Sequence, residues 1–305
     1  MTQAPFTQTI TEPNLPDSHK DNELELDLFL EAIYRKYGYD FRSYSRASLR
    51  RRIQNQLERF KLDNVCELIH LVIHDEAMFI EIFDHMTVNV TEMFRDPHFY
   101  KSFRENVAPQ LKSYPSFKIW HAGCSTGQEI YSMCILLKEL GLYDKAQIYA
   151  TDIDHQVLEK AKKGIFPIDT ASLYSQNYRE SGGLYSLSEY YTARYDSIIM
   201  DSSLKKNIIF ADHDLATDQV FSEMQVIICR NVLIYFNQSL QDRVFRLFSN
   251  SLDYGAYLCL GSKESLRFSS CHPFYKTLDN KYKIYQKTGQ HEAFPLNRNN
   301  EDSSE

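Results

Sequence analysis

Five short apolar runs beyond residue 100 constrain the fold more than any other feature of this sequence. Each run is long enough for a single β-strand and ends on small or polar residues, and the five lie at 117–123, 146–152, 207–214, 224–231 and 256–262. Segments with helical spacing of apolar residues separate most of them, at about 128–140, 155–163 and 237–252. Strands that alternate with helices predict a mainly parallel sheet covered by helices on both faces.

Two segments interrupt this alternation. Residues 164–206 hold Gly182, Gly183 and two strand-like runs, YYTARY and SIIM, which predict a small antiparallel β-subdomain inserted into the larger domain. The run KYKIYQK at 281–287 predicts a last, antiparallel edge strand.

The first hundred residues have a different pattern. Apolar residues recur at helical spacing in four stretches, at about 23–37, about 45–60, after Asp63 and at about 76–85. We find no strand-like alternation there, so the sequence predicts an all-helical N-terminal domain at 21–100, followed by the α/β domain at 101–287. The polar composition of 1–20 and 288–305 predicts disordered tails.

Composition excludes several classes of protein. The net charge of -7 does not favour a general nucleic-acid binder, and we expect no nucleic-acid partner. The chain has six cysteines, none in a CxxC pair, which favours reduced thiols and a cytoplasmic location. No apolar run approaches the roughly 18 residues of a spanning helix, so we expect no membrane insertion. His70 and His74 are four residues apart but lack a third ligand, and we expect no metal site.

The ends of the predicted strands carry acids, amides and glycines. Ligands bind beyond the carboxyl ends of the strands in such sheets, and glycines allow close approach of the backbone. The residues at these ends are Gly123, Ser125, Gly127, Glu129, Asp152, Asp154, Asp212, Asp214, Arg230 and Asn231. An acidic rim without GxGxxG disfavours a pyrophosphate and suits S-adenosylmethionine, which carries a ribose, an amine and a sulfonium. Any one of these residues is also a common turn former or helix cap.

Five motifs in this order resemble one known family. They are NVTEMFRDPHFY (89–100), AGCSTGQEIYS (122–132), ATDID (150–154), ADHDL (211–215) and CRNVLIYF (229–236). Together they are similar to the chemotaxis-receptor glutamate methyltransferases of the CheR type, over residues 25 to 287. The resemblance implies a helical N-terminal domain, a Rossmann-like methyltransferase domain with an inserted β-subdomain, S-adenosylmethionine as methyl donor and receptor glutamates as acceptors.

The resemblance also implies the cofactor site. The matching positions are Asn89, Thr91 and Arg95 in the segment joining the domains, Glu129 in the glycine loop, Asp152 at the ribose, Asp214 and Leu215 near the adenine, and Asn231 with Val232 after the fourth strand. The sequence departs from the family's usual pattern at Gln128, where the first of two acids is common, and at Ile130, where proline is common.

Arg95 and Tyr235 are the catalytic candidates. A glutamate acceptor is ionised at pH 7 and needs no general base, so a cation or a hydroxyl would serve to aim it. Arg95 could contact either the donor's carboxylate or the acceptor glutamate, and Tyr235 could equally be a core aromatic residue.

A basic face at 42–61 is the candidate docking surface. It has one acid, Glu58, against seven basic residues: Arg42, Arg46, Arg50, Arg51, Arg52, Arg59 and Lys61. We expect acidic chemoreceptor helices to dock there, although charge runs are commonly only solvated helix surface. Methyl transfer to another acceptor and a non-enzymatic cofactor-binding signalling module remain the alternatives, as does a receptor tail peptide on the β-subdomain.

Overall fold

The computed structural model describes residues 18–87, 89–221 and 223–289, with side chains from residue 23 onward. The predicted tails lie outside these residues, except that 18–20 are helical and 288–289 follow the last strand. Within this described part of the chain, no helix combines the length and the apolar content needed to cross a membrane.

Four helices form the N-terminal part, here called the helical unit: α1 (Ser18–Tyr37), α2 (Arg46–Phe60), α3 (Val65–His74) and α4 (Glu76–Met86). Leu26, Phe29, Leu30 and Ile33 recur at helical spacing on α1 and are fully or almost fully buried in its core. The side chains of Asn64 and Asp75 cap α3 and α4, each accepting a backbone N–H at 3.1 Å. The all-helical domain predicted from the sequence is thus confirmed.

The helices α5 (Pro97–Asn106) and α6 (Ala108–Leu111) belong to the second part of the molecule. Met86 lies in the hydrophobic cluster of the helical unit, whereas Met93, Phe94 and Phe99 lie in the cluster beneath the sheet. The division between the two cores therefore falls earlier than the boundary after residue 100 that the sequence pattern predicts. The reason is that helical spacing alone does not tell which core a helix faces.

A seven-stranded sheet organises this second part, here called the sheet unit. Its strands are β1 (Phe117–Ala122), β2 (Ala146–Asp152), β6 (Ile208–Asp212), β7 (Met224–Cys229), β8 (Leu252–Leu260), β9 (Tyr275–Asp279) and β10 (Ile284–Lys287). Their order is β6-β2-β1-β7-β8-β10-β9. Neighbours from β6 to β8 pair in parallel, and β10 pairs antiparallel with both β8 and β9. All five predicted apolar runs are strands of this sheet.

Both faces of the sheet are covered. Alternate residues of β1 point to opposite sides, so that Ile119 and Trp120 lie in different hydrophobic clusters. The covering helices α7 (Gln128–Glu139), α8 (His155–Lys163) and α10 (Gln238–Ser251) follow the predicted ranges. This confirms the doubly covered α/β fold.

The predicted antiparallel strand at 281–287 is β10, but it is not the edge of the sheet. The strand β9 lies outside it and forms the edge. Its sequence, YKTLD, has only one buried residue, Tyr275, so it lacks a strong apolar signal.

The insert forms a separate three-stranded antiparallel sheet. It contains β3 (Ile165–Pro167), α9 (Ala171–Glu180), β4 (Tyr191–Arg194) and β5 (Ser197–Met200), with strand order β3-β5-β4. Glu139, at the end of α7, fixes the insert to the sheet unit. Its side chain is fully buried and accepts hydrogen bonds from Arg104, Tyr178, the backbone of Leu184 and Tyr190.

Candidate active site

A cleft lies between the helical unit and the carboxyl ends of the parallel strands. The structure brings every site residue predicted from the sequence to its wall: Asn89, Thr91, Arg95, Glu129, Asp152, Asp214, Leu215, Asn231, Val232 and Tyr235. Among the strand-end acids, Asp212 is an exception, because it is exposed and pairs with His155 at 3.1 Å.

The loop between β1 and α7 forms one wall of the cleft. The backbone N–H groups of Gly123 and Cys124 both donate to the carbonyl of Thr151 at 2.9 Å, which holds the loop against the end of β2. Gly123 has a φ of +75°, and a Cβ there would lie 2.5 Å from a methyl group of Val232. Only glycine suits this close approach of two walls of the cleft.

Asp152 closes the same loop from β2. One of its oxygens accepts the N–H of Ser125 at 2.8 Å, and the other accepts the N–H of Asp154 at 3.1 Å. Burial raises the pKa of the Asp152 carboxyl to about 6, and burial likewise raises the pKa of Asp214 to about 6. Both carboxyls therefore change their charge in the range from weakly acidic to neutral pH.

Glu129 lies in a buried polar network. One carboxylate oxygen contacts Nδ1 of His121 at 3.0 Å, and the other accepts a hydrogen bond from Arg230 at 3.2 Å. Burial acts to raise the pKa of Glu129, but the His121 hydrogen bond and the Arg230 charge together lower it. Glu129 is therefore held as an anion by the protein itself, a partnership that sequence spacing did not predict.

Arg230 connects Glu129 to the segment between the two units. Its side chain is only 2% exposed, and it also donates to Asp96 at 2.5 Å and to the backbone carbonyl of Arg95 at 3.2 Å. The guanidinium lies 4.2 Å from the ring centre of Phe99. Arg230 thereby fixes the backbone that carries Arg95 into the cleft.

Asn89 is anchored at the other end of that segment. Its amide nitrogen donates to Thr87 at 2.9 Å and to Asp154 at 3.2 Å, and Thr87 donates to the same oxygen of Asp154. Asp154 also caps α8 through the N–H groups of Gln156 and Val157. The role of this strand-end acid is thus to hold the two units together.

The helical unit supplies the opposite wall through Tyr44 and Arg52. The N–H of Ser45 donates to the carbonyl of Tyr235 at 2.7 Å, and Tyr44 pairs with Phe236 in a short β-bridge. The guanidinium of Arg52 lies 4.7 Å from the ring centre of Tyr235.

Arg52 lines the cleft, although nothing in the sequence indicated this position. It was expected on the basic docking face, but it is only 6% exposed and lines the cleft. One nitrogen donates to the carbonyl of Met86, while Nε and Nη2 are buried and have no hydrogen-bond partner among the residues that the structure describes. Burial lowers its pKa. A buried cation with two free donors is a ready partner for an anion.

The rest of the basic face is largely paired within the protein. Acids on α1 and arginines around α2 meet in a ladder of ion pairs, here called the salt ladder: Glu23 with Arg50, Asp27 with Arg46, and Glu31 with Arg42. Arg59 pairs with Glu81 at 2.6 Å. The charge run in the sequence therefore overstates the free positive charge of this face.

The chemistry of the cleft fits S-adenosylmethionine. The carboxylates of the cleft can accept hydrogen bonds from hydroxyl and amine groups of a ligand. Among the described residues, the buried hydroxyl of Ser125 has no hydrogen-bond partner. Carboxylates at the ends of β1, β2 and β6 disfavour a phosphate group. The fold and this cleft define a Rossmann-like methyltransferase that uses S-adenosylmethionine.

Comparison with known proteins gives the family. Residues 24–87 match the model of the CheR methyltransferase all-alpha domain, and residues 89–282 match that of the CheR methyltransferase SAM binding domain. The chain belongs to the CheR family of chemotaxis methyltransferases.

Individual relatives agree with this assignment. The chain is 49% identical over 271 residues to the Pseudomonas putida protein named Cher3, which covers 89% of this chain and 99% of that protein. It is 26% identical over 254 residues to a chemotaxis protein methyltransferase of Listeria monocytogenes, covering 83% of this chain and 92% of that one. It is 29% identical over 227 residues to chemotaxis protein methyltransferase 1 of Vibrio cholerae, covering 72% and 80%.

Proposed function

We propose that this protein transfers the methyl group of S-adenosylmethionine to glutamate side chains in the cytoplasmic helices of chemoreceptors, and that it works in the cytoplasm. Family membership supports methyl transfer in chemotaxis. The cleft supports a carboxylate as the acceptor, because it presents an unneutralised cation beside the residues proposed to hold the cofactor.

Arg52 is the observation that carries this proposal. Its two free nitrogen donors are buried in the wall of the cleft, and an acidic side chain entering the cleft would satisfy them. A neutral acceptor would leave the charge of Arg52 without a counterion, and a cationic acceptor would be repelled by it. The site is therefore suited to an anionic acceptor.

The acceptor carboxylate needs no activation by a base. A glutamate side chain has a pKa of about 4.3 in water and is an ionised nucleophile at pH 7. The bound cofactor supplies a methyl group on a positively charged sulfur. What the protein must do is place the acceptor oxygen in line with that methyl group and exclude water, and such placement can contribute roughly 7–11 kcal/mol.

Arg95 and Tyr235 are proposed to aim the acceptor. Arg95 donates to the carbonyl of Val90 at 3.2 Å, which leaves other donors of its guanidinium for a ligand. Tyr235 lies against Arg52 and is partly exposed to the cleft. We propose that Arg52 binds the incoming carboxylate, Tyr235 limits its approach and Arg95 contacts the donor or the acceptor.

The remaining predicted residues are proposed to hold the cofactor. Glu129 would accept from the amine, Asp152 from the ribose hydroxyls and Asp214 from the adenine amino group. Leu215, Asn231 and Val232 would form the apolar and amide wall, and Asn89 and Thr91 would close the site from the segment between the units.

The basic face remains the proposed docking surface for receptor helices. Exposed ion pairs such as those of the salt ladder contribute about 0–1 kcal/mol each, so an acidic helix can exchange with the α1 acids at little cost. Arg51 of this face is exposed, and the next residue, Arg52, lines the cleft.

A transfer assay tests the proposal. Tritiated S-adenosylmethionine is incubated with the protein and chemoreceptor-containing membranes, and label on the receptor band is measured before and after mild alkali. We expect label that alkali releases, as a glutamate methyl ester requires. Alkali-stable label would indicate another acceptor, and cofactor binding without any transfer would indicate a signalling module.

A further inference from the structure

Glu264 is a buried carboxylate whose partners are all backbone N–H groups. It follows β8, is only 4% exposed, and none of the site predictions include it. One oxygen accepts from Gly261 at 2.6 Å and from Asn231 at 3.1 Å. The other accepts from Val232 and from Leu233, both at 2.8 Å. Four donors on one carboxylate form an anion site that the chain fills with its own side chain.

These bonds hold the loop after β7 in an unusual conformation. Asn231 has a φ of 63°, in the left-handed region that few residues other than glycine and asparagine adopt. That conformation turns three successive N–H groups toward Glu264. Without the carboxylate, these three donors would lose the hydrogen-bond acceptor that they share.

The same loop forms a wall of the cleft. Asn231 and Val232 line the cleft, and a Val232 methyl group lies so near Gly123 that a Cβ there would be only 2.5 Å from it. Strands β7 and β8 are parallel neighbours, with Cys229 beside Leu260, so their following loops lie at the same edge of the sheet. Glu264 itself is not among the residues that line the cleft.

We propose that Glu264 is a positioning residue for the methyltransferase site. It fixes the Asn231–Val232 wall through the backbone and thereby sets the affinity for the cofactor without touching it. This inference rests on the proposed assignment of Asn231 and Val232 to the cofactor wall.

The test uses Glu264→Gln and measures binding of S-adenosylhomocysteine by calorimetry well below the unfolding temperature. A glutamine has one acceptor oxygen, so either orientation of its amide sets an N–H₂ group against two of the four donors. We expect the dissociation constant to rise on the order of tenfold, equivalent to about 1.4 kcal/mol. Amide hydrogen exchange at residues 231–233 should become faster in the same variant.

Glu139→Gln is the matched control. Glu139 is also a buried carboxylate with several donors, but it lies at the insert and does not line the cleft. Both variants should lower the unfolding temperature, and only Glu264→Gln should weaken binding. Equal loss of affinity in the two variants, or unchanged affinity in both, would overturn the positioning role.

Gly261→Ala keeps the test decisive if Glu264→Gln does not fold. A Cβ at Gly261 would lie 2.8 Å from the Asn231 nitrogen and 2.8 Å from a Glu264 oxygen, so it separates the pair while keeping the carboxylate. We expect weaker cofactor binding here too, and unchanged binding would contradict the inference. Binding by the unaltered protein is measured in parallel. If the unaltered protein binds no cofactor, the proposed function itself is refuted. If the unaltered protein and both variants bind the cofactor equally well, only the role of Glu264 is refuted.

Discussion

Arg52 of the helical unit lies with its guanidinium 4.7 Å from the ring centre of Tyr235 in the sheet unit. Within the described part of the chain this buried cation has no acidic partner, and the contact joins it to the loop that follows β7. It shows that the helical unit contributes to the wall of the candidate active site.

Replacing Arg52 should impair use of the acceptor and spare the cofactor. Arg52→Met keeps an apolar stem but removes the charge, so kcat/KM for a receptor substrate should fall about 10-fold to 100-fold, the worth of one or two charge-assisted hydrogen bonds. The dissociation constant for S-adenosylhomocysteine should stay within about twofold. The matched control is Arg179→Met, since Arg179 is an exposed arginine of the insert that belongs neither to the basic face nor to the cleft wall. Equal kinetics for the two variants would remove Arg52 from acceptor binding.

Charge reversal on the basic face tests the docking surface. In the double variant Arg50→Glu with Arg51→Glu, repulsion of an acidic receptor helix should raise the KM for receptor several-fold, an effect that salt should diminish. Cofactor affinity should not change, because neither residue lines the cleft. Arg179→Glu, an exposed change on the insert, serves as the control. A KM that stays the same in the double variant would place receptor docking elsewhere.

Cofactor binding should depend on pH through Asp152 and Asp214. Each carboxyl has its pKa raised to about 6, so each is mostly protonated at pH 5 and mostly ionised at pH 7.5. If the ionised forms accept the donors of the ligand, affinity increases with pH across this window, by about tenfold for one such group. Calorimetry with S-adenosylhomocysteine from pH 5 to pH 7.5 measures this. The control Asp212→Asn should show the same pH dependence of affinity, since Asp212 does not line the cleft. An affinity that does not change with pH in the unaltered protein would contradict the prediction.

Glu129 should matter for stability as well as for binding. Arg230 is buried and contacts two carboxylates, those of Glu129 and Asp96. Of these two, Glu129→Gln leaves only the carboxylate of Asp96. Loss of one partner from a buried ion pair typically lowers the free energy of unfolding by about 3 kcal/mol. Urea denaturation measures the change in the free energy of unfolding. The control is Glu159→Gln, which removes an exposed ion pair with Lys162 and should leave that free energy unchanged. An unaltered midpoint in Glu129→Gln would mean that the network is not holding the loop.

Sequence patterns predicted the fold because most residues of the central strands β1, β2, β7 and β8 are buried. Every residue of β7 is buried, and such runs can hardly be anything but central strands. The edge strand β9 was not predicted because only one of its residues is fully buried. The motif positions were likewise predictable, since glycines and acids at strand ends are visible in the sequence.

The partners of those residues could not be predicted in the same way. Arg52 stands in a run of charges that resembles solvated surface, and only its contacts with Met86 and Tyr235 reveal that it faces the cleft. Glu264 acts through backbone N–H groups of a loop more than 30 residues earlier, and backbone donors leave no trace in residue types. In both cases the informative quantity is burial of a charge, which depends on tertiary packing.

The central claim is that the methyl group is delivered to a side-chain carboxylate of a receptor. The most direct measurement is tandem mass spectrometry of a chemoreceptor after incubation with this protein and S-adenosylmethionine. We predict a gain of one methyl group located on glutamate residues of the cytoplasmic helices and lost on mild alkaline hydrolysis. Methyl groups found on any other residue type, or an unmodified receptor in the presence of protein that binds the cofactor, would contradict the account.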